Sequence, residues 1–167
     1  MSKSLGVFAG SFDPFTKGHS SVVNMALDVF DRILIVIAHN SNKKTLFTPA
    51  RRADMICSII DDEFPKGRVS VSVLSSILIA DYAFEANASL IRGVRTNSDF
   101  EYEMQMSIIN KRIRPSVQTV IFPAHDDMTG VSSSTIKQML NFFGWEGAVR
   151  PYVHPVVLEA LKKESSL

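Results

Sequence analysis

The chain has 167 residues and a formal net charge of +1, with 46% hydrophobic and 21% charged residues. These values are typical of one globular domain, and we predict a single domain over residues 1–167. The balanced charge argues against a nucleic-acid-binding surface, and the apolar runs are too short to span a bilayer. No signal peptide is visible, so we expect a cytoplasmic protein whose one cysteine, Cys57, is a buried thiol.

Strand-like and helix-like segments alternate along the chain. Short apolar runs predict five strands, at residues 5–9, 32–38, 69–74, 89–92 and 118–122. Helical segments are predicted at residues 19–30, 49–63, 77–87, 97–114, 132–143 and 155–163. We expect Thr48 to cap the second helix, and Ser98 with Glu101 to cap the fourth. Gly144 fits the C-terminal cap of the fifth helix.

This alternation predicts a Rossmann-like, doubly wound α/β fold with a five-stranded parallel sheet in the order 3-2-1-4-5, followed by C-terminal helices. Ligands bind such sheets outside the carboxyl ends of the strands, where the strand order reverses. That crevice lies between the first and fourth strands, beside the loops at residues 10–19 and 92–97. Because these loops also have the most unusual sequences in the chain, we expect a nucleotide-sized site between them.

The loop after the first strand reads GSFDP at residues 10–14 and TKGH at residues 16–19. A glycine lets the backbone approach a ligand closely, and the Asp-Pro pair makes a sharp turn. The free N–H groups at the start of the next helix favour phosphate. A histidine there can donate a hydrogen bond to a phosphate oxygen as charge develops on it. A plain strand-turn-helix connection with a surface histidine is the alternative.

Three other segments at the same edge of the predicted sheet carry cations or hydroxyls. RGVR at residues 92–95 could hold phosphates between its arginines, although each alone could be an ordinary surface residue. Lys43 could reach a substrate phosphate or be a solvated lysine. VSSST at residues 131–135 opens a helix and is either an anion site or a generous N-cap.

Together these segments resemble the nucleotidyltransferase superfamily. GSFDP and TKGH are similar to its first signature, and the Thr-x-Gly-His form is typical of bacterial phosphopantetheine adenylyltransferases. RGVR and the DFEYEMQ that follows at residues 99–105 resemble the block that separates this family from its relatives, with Val94 in place of leucine. Residues 126–130 depart from the family, in which aromatic side chains are usual there.

The resemblance implies transfer of an adenylyl group from ATP to 4′-phosphopantetheine, with Mg²⁺ accompanying ATP and no metal site built from the protein. The implied catalytic residues are His19, Lys43 and Arg92. The implied acceptor contacts are Ser11, Lys43, Ile79 and Arg92. The implied nucleotide contacts are Ser11, Phe12, His19, Gly93, Val94, Arg95, Glu103, Met128, Thr129, Gly130, Val131, Ser132, Ser133 and Ser134.

The resemblance further implies a homohexamer that has no nucleic-acid or membrane partner. Three alternatives stay open: a nicotinate mononucleotide adenylyltransferase, a polyol-phosphate cytidylyltransferase, and a nucleotide- or coenzyme A-binding module without turnover. The DFEYEMQ segment disfavours the two enzymes. A pure binder has no need of a transition-state donor, so the intact His19 disfavours the binding module.

Overall fold

Five parallel strands form one sheet in a computed structural model of the protein, which describes residues 4–39, 44–75, 77–123 and 131–165. The strands are β1 (Leu5–Gly10), β2 (Arg32–His39), β3 (Val69–Ser75), β4 (Ser89–Val94) and β5 (Thr119–Pro123). Their order in the sheet is β3-β2-β1-β4-β5, so the predicted doubly wound fold is confirmed. The predictions for Lys43 and for residues 128–130 lie outside the described residues.

Within the described residues, seven α-helices follow or connect the strands. They are α1 (Lys17–Leu27), α2 (Pro49–Glu63), α3 (Ile79–Glu85), α4 (Asn97–Ile113), α5 (Ser133–Met139), α6 (Trp145–Val149) and α7 (Pro155–Ser165). None of the helices in this described part combines the length and apolar character that a membrane crossing requires.

The sheet is covered on both faces because its central strands carry apolar side chains on both sides. Phe8 of β1 belongs to a large core with Ile35 of β2 and with residues of α1, α2 and α7. Its neighbour Val7 belongs to a second core with Val36 of β2 and Ala83 of α3. Successive residues of a strand point to opposite faces, so a continuous apolar run supplies both cores.

Two predicted helix ends need correction. The N-cap of α4 is Thr96, whose Oγ1 accepts the N–H of Asp99 at 3.1 Å. Ser98 is the second residue of α4 and therefore lies inside the helix, not at its N-cap. Gly144 does have the left-handed φ of 76°, but it precedes α6, while α5 already ends at Met139. Thr48 caps α2 as predicted, accepting the N–H of Arg51 at 3.2 Å.

The prediction that Cys57 is buried was wrong. The thiol is exposed, since the buried stripe of α2 runs through Met55, Ile56 and Ile59 and leaves residue 57 on the outer face. Apolar residues recur every three to four positions on the buried side of a helix, and Cys57 falls between them.

Candidate active site

A cleft of about 310 Å³ opens at the carboxyl edge of the sheet, between β1 and β4. These strands are neighbours in the sheet, with Phe8 opposite Ile91, and the strand order reverses between them. Residues 8–12, the start of α1, the β4–α4 loop and residues 131–134 line the cleft. His19 and Arg92 both lie in this lining, on the two loops that the sequence singles out.

His19 is held in one tautomer by the loop before α1. The backbone N–H of Thr16 donates to its Nδ1 at 2.9 Å, and the Thr16 side chain in turn accepts the N–H of His19 at 3.4 Å. Because Nδ1 accepts a hydrogen bond, the proton of the neutral ring lies on Nε2. His19 can therefore act in the cleft as a neutral donor through Nε2–H.

Three phenylalanine rings surround the imidazole of His19. Phe12 stands edge-on to it with ring centroids 5.1 Å apart, Phe15 lies at 5.2 Å and Phe8 at 6.1 Å. Burial and, to a smaller extent, the positive charge of Arg95 together lower the pKa of His19 to about 4. At neutral pH the imidazole is thus uncharged.

Phe12 combines a buried ring with an unusual backbone. Its side chain is almost fully buried, and its φ of 47° lies in the left-handed region that few residues other than glycine adopt. Such conformations persist where the surroundings fix them and are common at binding sites. Here the ring packing against Phe8 and Phe15 fixes the backbone of residues 10–12 along the cleft.

The carboxylate of Asp13 joins the loop after β1 to two other parts of the chain. It is buried and accepts the backbone N–H groups of Leu46 and Phe47 at 2.8 and 2.9 Å. It also accepts a hydrogen bond from the ammonium of Lys137 at 3.1 Å. One side chain thus ties the cleft to the segment before α2 and to α5. The sequence analysis predicted Asp13 only as part of a turn and did not predict its contact with Lys137.

Arg52 holds the same loop from the α2 side. Its Nη1 donates to the backbone carbonyl of Ser11 at 2.5 Å, and its Nε to Thr48 at 3.4 Å. Its Nη2 is buried without a partner among the described residues. Burial lowers the pKa of the Arg52 guanidinium, an effect that the charge of Asp13 opposes. This role could not be predicted from the sequence, because Arg52 lies in an ordinary helical pattern.

Arg92 enters the cleft with its guanidinium already bound to the protein. Its Nε and Nη2 donate to the two carboxylate oxygens of Glu103 at 2.6 and 2.5 Å, and its Nη1 donates to the carbonyl of Ala9 at 2.9 Å. Glu103 is buried on α4 and is absent from the lining of the cleft. In this it differs from Gly93 and Arg95, two predicted nucleotide contacts that do line the cleft.

The remaining residues of the β4–α4 loop show how closely it packs. A Cβ atom added to Gly93 would lie 2.7 Å from Cγ2 of Val22, so only glycine lets β4 approach α1 this closely. Arg95 lines the cleft, and its Nε donates to Asp99 at 3.1 Å. Val94 is half-buried and does not line the cleft.

The start of α5 forms another wall of the cleft. Ser132 caps this helix by accepting the N–H of Thr135 at 2.9 Å. The hydroxyl of Ser133 donates to the carbonyl of Pro14 at 2.8 Å, which attaches the helix to the loop after β1. With Val131 and Ser134 these residues line the cleft, as the predicted nucleotide contacts in this segment require.

A second, smaller cavity of about 60 Å³ adjoins the cleft. Ala9 and Arg92 line both spaces, so these two residues stand at their junction. Ile79 lies here and not in the main cleft, together with Tyr102, Met106 and Asn110 of α4. The sequence analysis did not identify these three α4 residues, although their spacing of four places them on one face of the helix.

The lining of the main cleft offers hydroxyls, backbone N–H groups and arginines, and these groups suit phosphate. In the described ranges, no group of three or more His, Cys, Asp or Glu side chains could hold a metal ion.

The chain is similar to a known protein family and to individual members of it. The family model for cytidylyltransferase-like proteins matches residues 7–139, from β1 through α5. A phosphopantetheine adenylyltransferase of Alkaliphilus metalliredigens is 37% identical over 162 residues, covering 96% of this chain and 99% of that protein. Another, of Heliobacterium modesticaldum, is 36% identical over 168 residues, covering 96% of this chain and 92% of that protein.

A solved structure shares the fold at lower identity. The nicotinic acid mononucleotide adenylyltransferase of Plasmodium falciparum, complexed with NaAD, has a TM-score of 0.68 and 18% identity, covering 96% of this chain and 95% of that one. At this identity the likeness concerns the fold alone, and the preference for an acceptor has to come from closer relatives and from the site.

Proposed function

The chain belongs to the phosphopantetheine adenylyltransferase family of cytidylyltransferase-like proteins, and we propose that it transfers the adenylyl group of ATP to 4′-phosphopantetheine. The products are 3′-dephospho-coenzyme A and pyrophosphate, a step of coenzyme A biosynthesis. The observation that carries this proposal is the neutral Nε2–H donor of His19 in a cleft shared with Arg92 and the start of α5.

In the proposed reaction, an oxygen of the acceptor phosphate attacks the α-phosphorus of ATP. The new P–O bond forms as the bond between the α-phosphorus and the pyrophosphate oxygen breaks, and pyrophosphate leaves with that electron pair. The acceptor phosphate is itself the nucleophile, so the protein need not supply one. Catalysis then consists of positioning and of stabilising the charge that develops on the α-phosphate, which is the task of His19.

The other roles are proposed as the family resemblance implies them. Ser11, Lys43 and Arg92 orient the acceptor phosphate, and Ile79 contacts its pantetheine arm. The nucleotide is held by Phe12, Gly93, Val94, Arg95 and residues 128–134. Arg92 at the junction of the cavities supports this division, because the acceptor phosphate must meet the α-phosphate where the two substrates adjoin.

We further propose that Mg²⁺ arrives as the complex with ATP. Magnesium usually keeps several waters and binds through substrate phosphates, where it neutralises negative charge. The hydroxyls and arginines of the cleft suit such a triphosphate complex. The protein is proposed to act in the cytoplasm, and the exposed thiol of Cys57 is compatible with a reducing compartment.

We also propose that residues 1–167 form a single nucleotidyltransferase domain that assembles as a homohexamer. One sheet with a core on each face supports the single domain. Exposed apolar side chains on α4, among them Phe100, Met104 and Ile108, supply a surface for assembly.

The proposed activity is tested by offering the purified protein each acceptor in turn. We expect pyrophosphate from Mg·ATP with 4′-phosphopantetheine, and a product with the mass of dephospho-coenzyme A. Parallel reactions contain nicotinate mononucleotide, or Mg·CTP with a polyol phosphate. Product in one of these alone would identify an alternative enzyme, and nucleotide binding without any product would identify a binding module.

A further inference from the structure

The ion pair between Arg92 and Glu103 assigns a function to a buried carboxylate that the proposed reaction does not use directly. We infer that Glu103 is a positioning residue, which fixes the guanidinium of Arg92 toward the acceptor phosphate and does not bind the nucleotide itself. This inference rests on the proposed function for its substrate and on the contacts of Glu103 for its mechanism.

The side-chain hydrogen bonds of Glu103 are made to Arg92. Both carboxylate oxygens accept from the guanidinium, in the side-by-side geometry that gives arginine–carboxylate pairs their directionality. The Glu103 side chain is only 9% exposed, whereas that of Arg92 is 29% exposed. The carboxylate thus lies behind the arginine, and the arginine separates it from the cleft.

Arg92 keeps donors for a substrate after these contacts are made. A guanidinium has five N–H donors, and three of the donors of Arg92 are bound by Glu103 and Ala9. No other described residue accepts from it, which leaves one N–H on each Nη. An arginine side chain has many rotamers, so an unanchored guanidinium would lose conformational freedom on binding phosphate. The Glu103 pair and the Ala9 carbonyl fix this orientation in advance.

The position of Arg92 implies that the orientation of its guanidinium affects binding of the acceptor in particular. Arg92 stands where the main cleft meets the smaller cavity that Ile79 lines. A direct contact between Glu103 and the phosphates of ATP would bring a carboxylate toward a polyanion, which is unfavourable unless a cation lies between them. Arg92 is that cation, so we expect the effect of Glu103 to pass through it.

Glu103→Gln tests the inference because glutamine keeps the shape but offers one acceptor oxygen and an NH₂ group that faces a guanidinium N–H. We expect the KM and dissociation constant for 4′-phosphopantetheine to rise about tenfold or more, as for the loss of a charge-assisted hydrogen bond. The dissociation constant for ATP should not change. Glu101→Gln is the matched control, since Glu101 is exposed on the same helix, and it should alter neither constant.

A double-mutant cycle separates action through Arg92 from direct contact. In the Arg92→Met background, Glu103→Gln should produce no further loss of acceptor affinity. A weaker affinity for ATP in both backgrounds would overturn the inference in favour of a nucleotide contact. A lower thermal midpoint and lower active fraction, with unchanged KM values, would overturn it in favour of a purely structural role.

A nuclear magnetic resonance readout keeps this test separate from the test of the proposed function. The Nε–H signal of Arg92, assigned by its loss in Arg92→Met, should be protected from exchange in the wild-type protein and lose that protection in Glu103→Gln. If the wild-type protein binds ATP but not 4′-phosphopantetheine, the proposed function fails. An unchanged Arg92 signal in Glu103→Gln would instead reject the role of Glu103.

Discussion

Replacing His19 with alanine removes the Nε2–H donor from the cleft while Thr16 remains at the start of α1. Removal of a single oxyanion donor typically lowers turnover about a hundredfold to a thousandfold, and we expect a loss of this size in adenylyl transfer. The circular dichroism spectrum should be unchanged. His154→Gln is the control, because His154 pairs with Asp62 on the α7 side of the molecule, and it should keep wild-type turnover. Near-normal turnover of a folded His19→Ala protein would remove the imidazole from the mechanism.

The depressed pKa of His19 also predicts how stability depends on pH. The pKa is about 4 in the folded protein and 6.5 for an unperturbed histidine, so between these values the unfolded chain binds more protons. Protonation of His19 therefore favours the unfolded state, and the free energy of unfolding decreases as pH falls through this window. At neutral pH the imidazole is uncharged in both states and this effect is absent. Denaturant unfolding of the wild type and of His19→Gln at several pH values measures it. A difference between the two proteins that stays constant from pH 7 to about pH 4 would contradict the shifted pKa.

At the scale of elements, the buried Asp13 connects the loop after β1 to the segment before α2 and to α5. Lys137→Met leaves this carboxylate without its cation. Since Lys137 is partly exposed, with 34% of its side chain accessible, we expect a loss of about 1–2 kcal/mol in the free energy of unfolding, below the range for fully buried pairs. Asp13→Asn should cost more, because it also disturbs the acceptors for Leu46 and Phe47.

The double variant Asp13→Asn/Lys137→Met should lose less stability than the sum of the single losses, since the two residues share one interaction. Urea denaturation of the four proteins measures the coupling. Lys163→Met, on the exposed face of α7, is the control for removing a lysine and should leave stability unchanged. Strict additivity would contradict the prediction, because it would show that Asp13 and Lys137 have no interaction energy.

Local patterns predicted the elements better than their ends. β2 follows directly from its β-branched apolar run, and Thr48-Pro49 locates the start of α2 to the residue. The cap of α4 was missed because Thr96 and Ser98 are both good caps, and only the extended backbone at Thr96 decides between them. The five-residue helix α6 was missed because so short a segment has no clear periodicity.

At the scale of the whole molecule, strand order was predictable because few topologies suit alternating strands and helices, and this order brings His19 and Arg92 to one cleft. The contacts that position these residues were not predictable. Lys137 lies 124 positions from Asp13, and Arg52 lies 41 positions from Ser11. Their pairing depends on how α2 and α5 dock, which sequence motifs do not encode.

The surface of α4 gives the last prediction, at the scale of the assembly. Phe100, Met104 and Ile108 are 47%, 41% and 51% exposed and recur every four residues, so they form one apolar stripe. A stripe of this kind marks a protein interface on a molecule that is otherwise ordinary in composition. If it mediates the proposed homohexamer, the wild-type protein should sediment as a hexamer and Phe100→Ser/Ile108→Ser as a smaller species. Val29→Ser, which alters an exposed apolar residue just beyond α1, should leave the sedimentation coefficient unchanged. A wild-type protein that sediments as a monomer would exclude the hexamer, and an unchanged assembly in the double variant would place its contacts elsewhere on the surface.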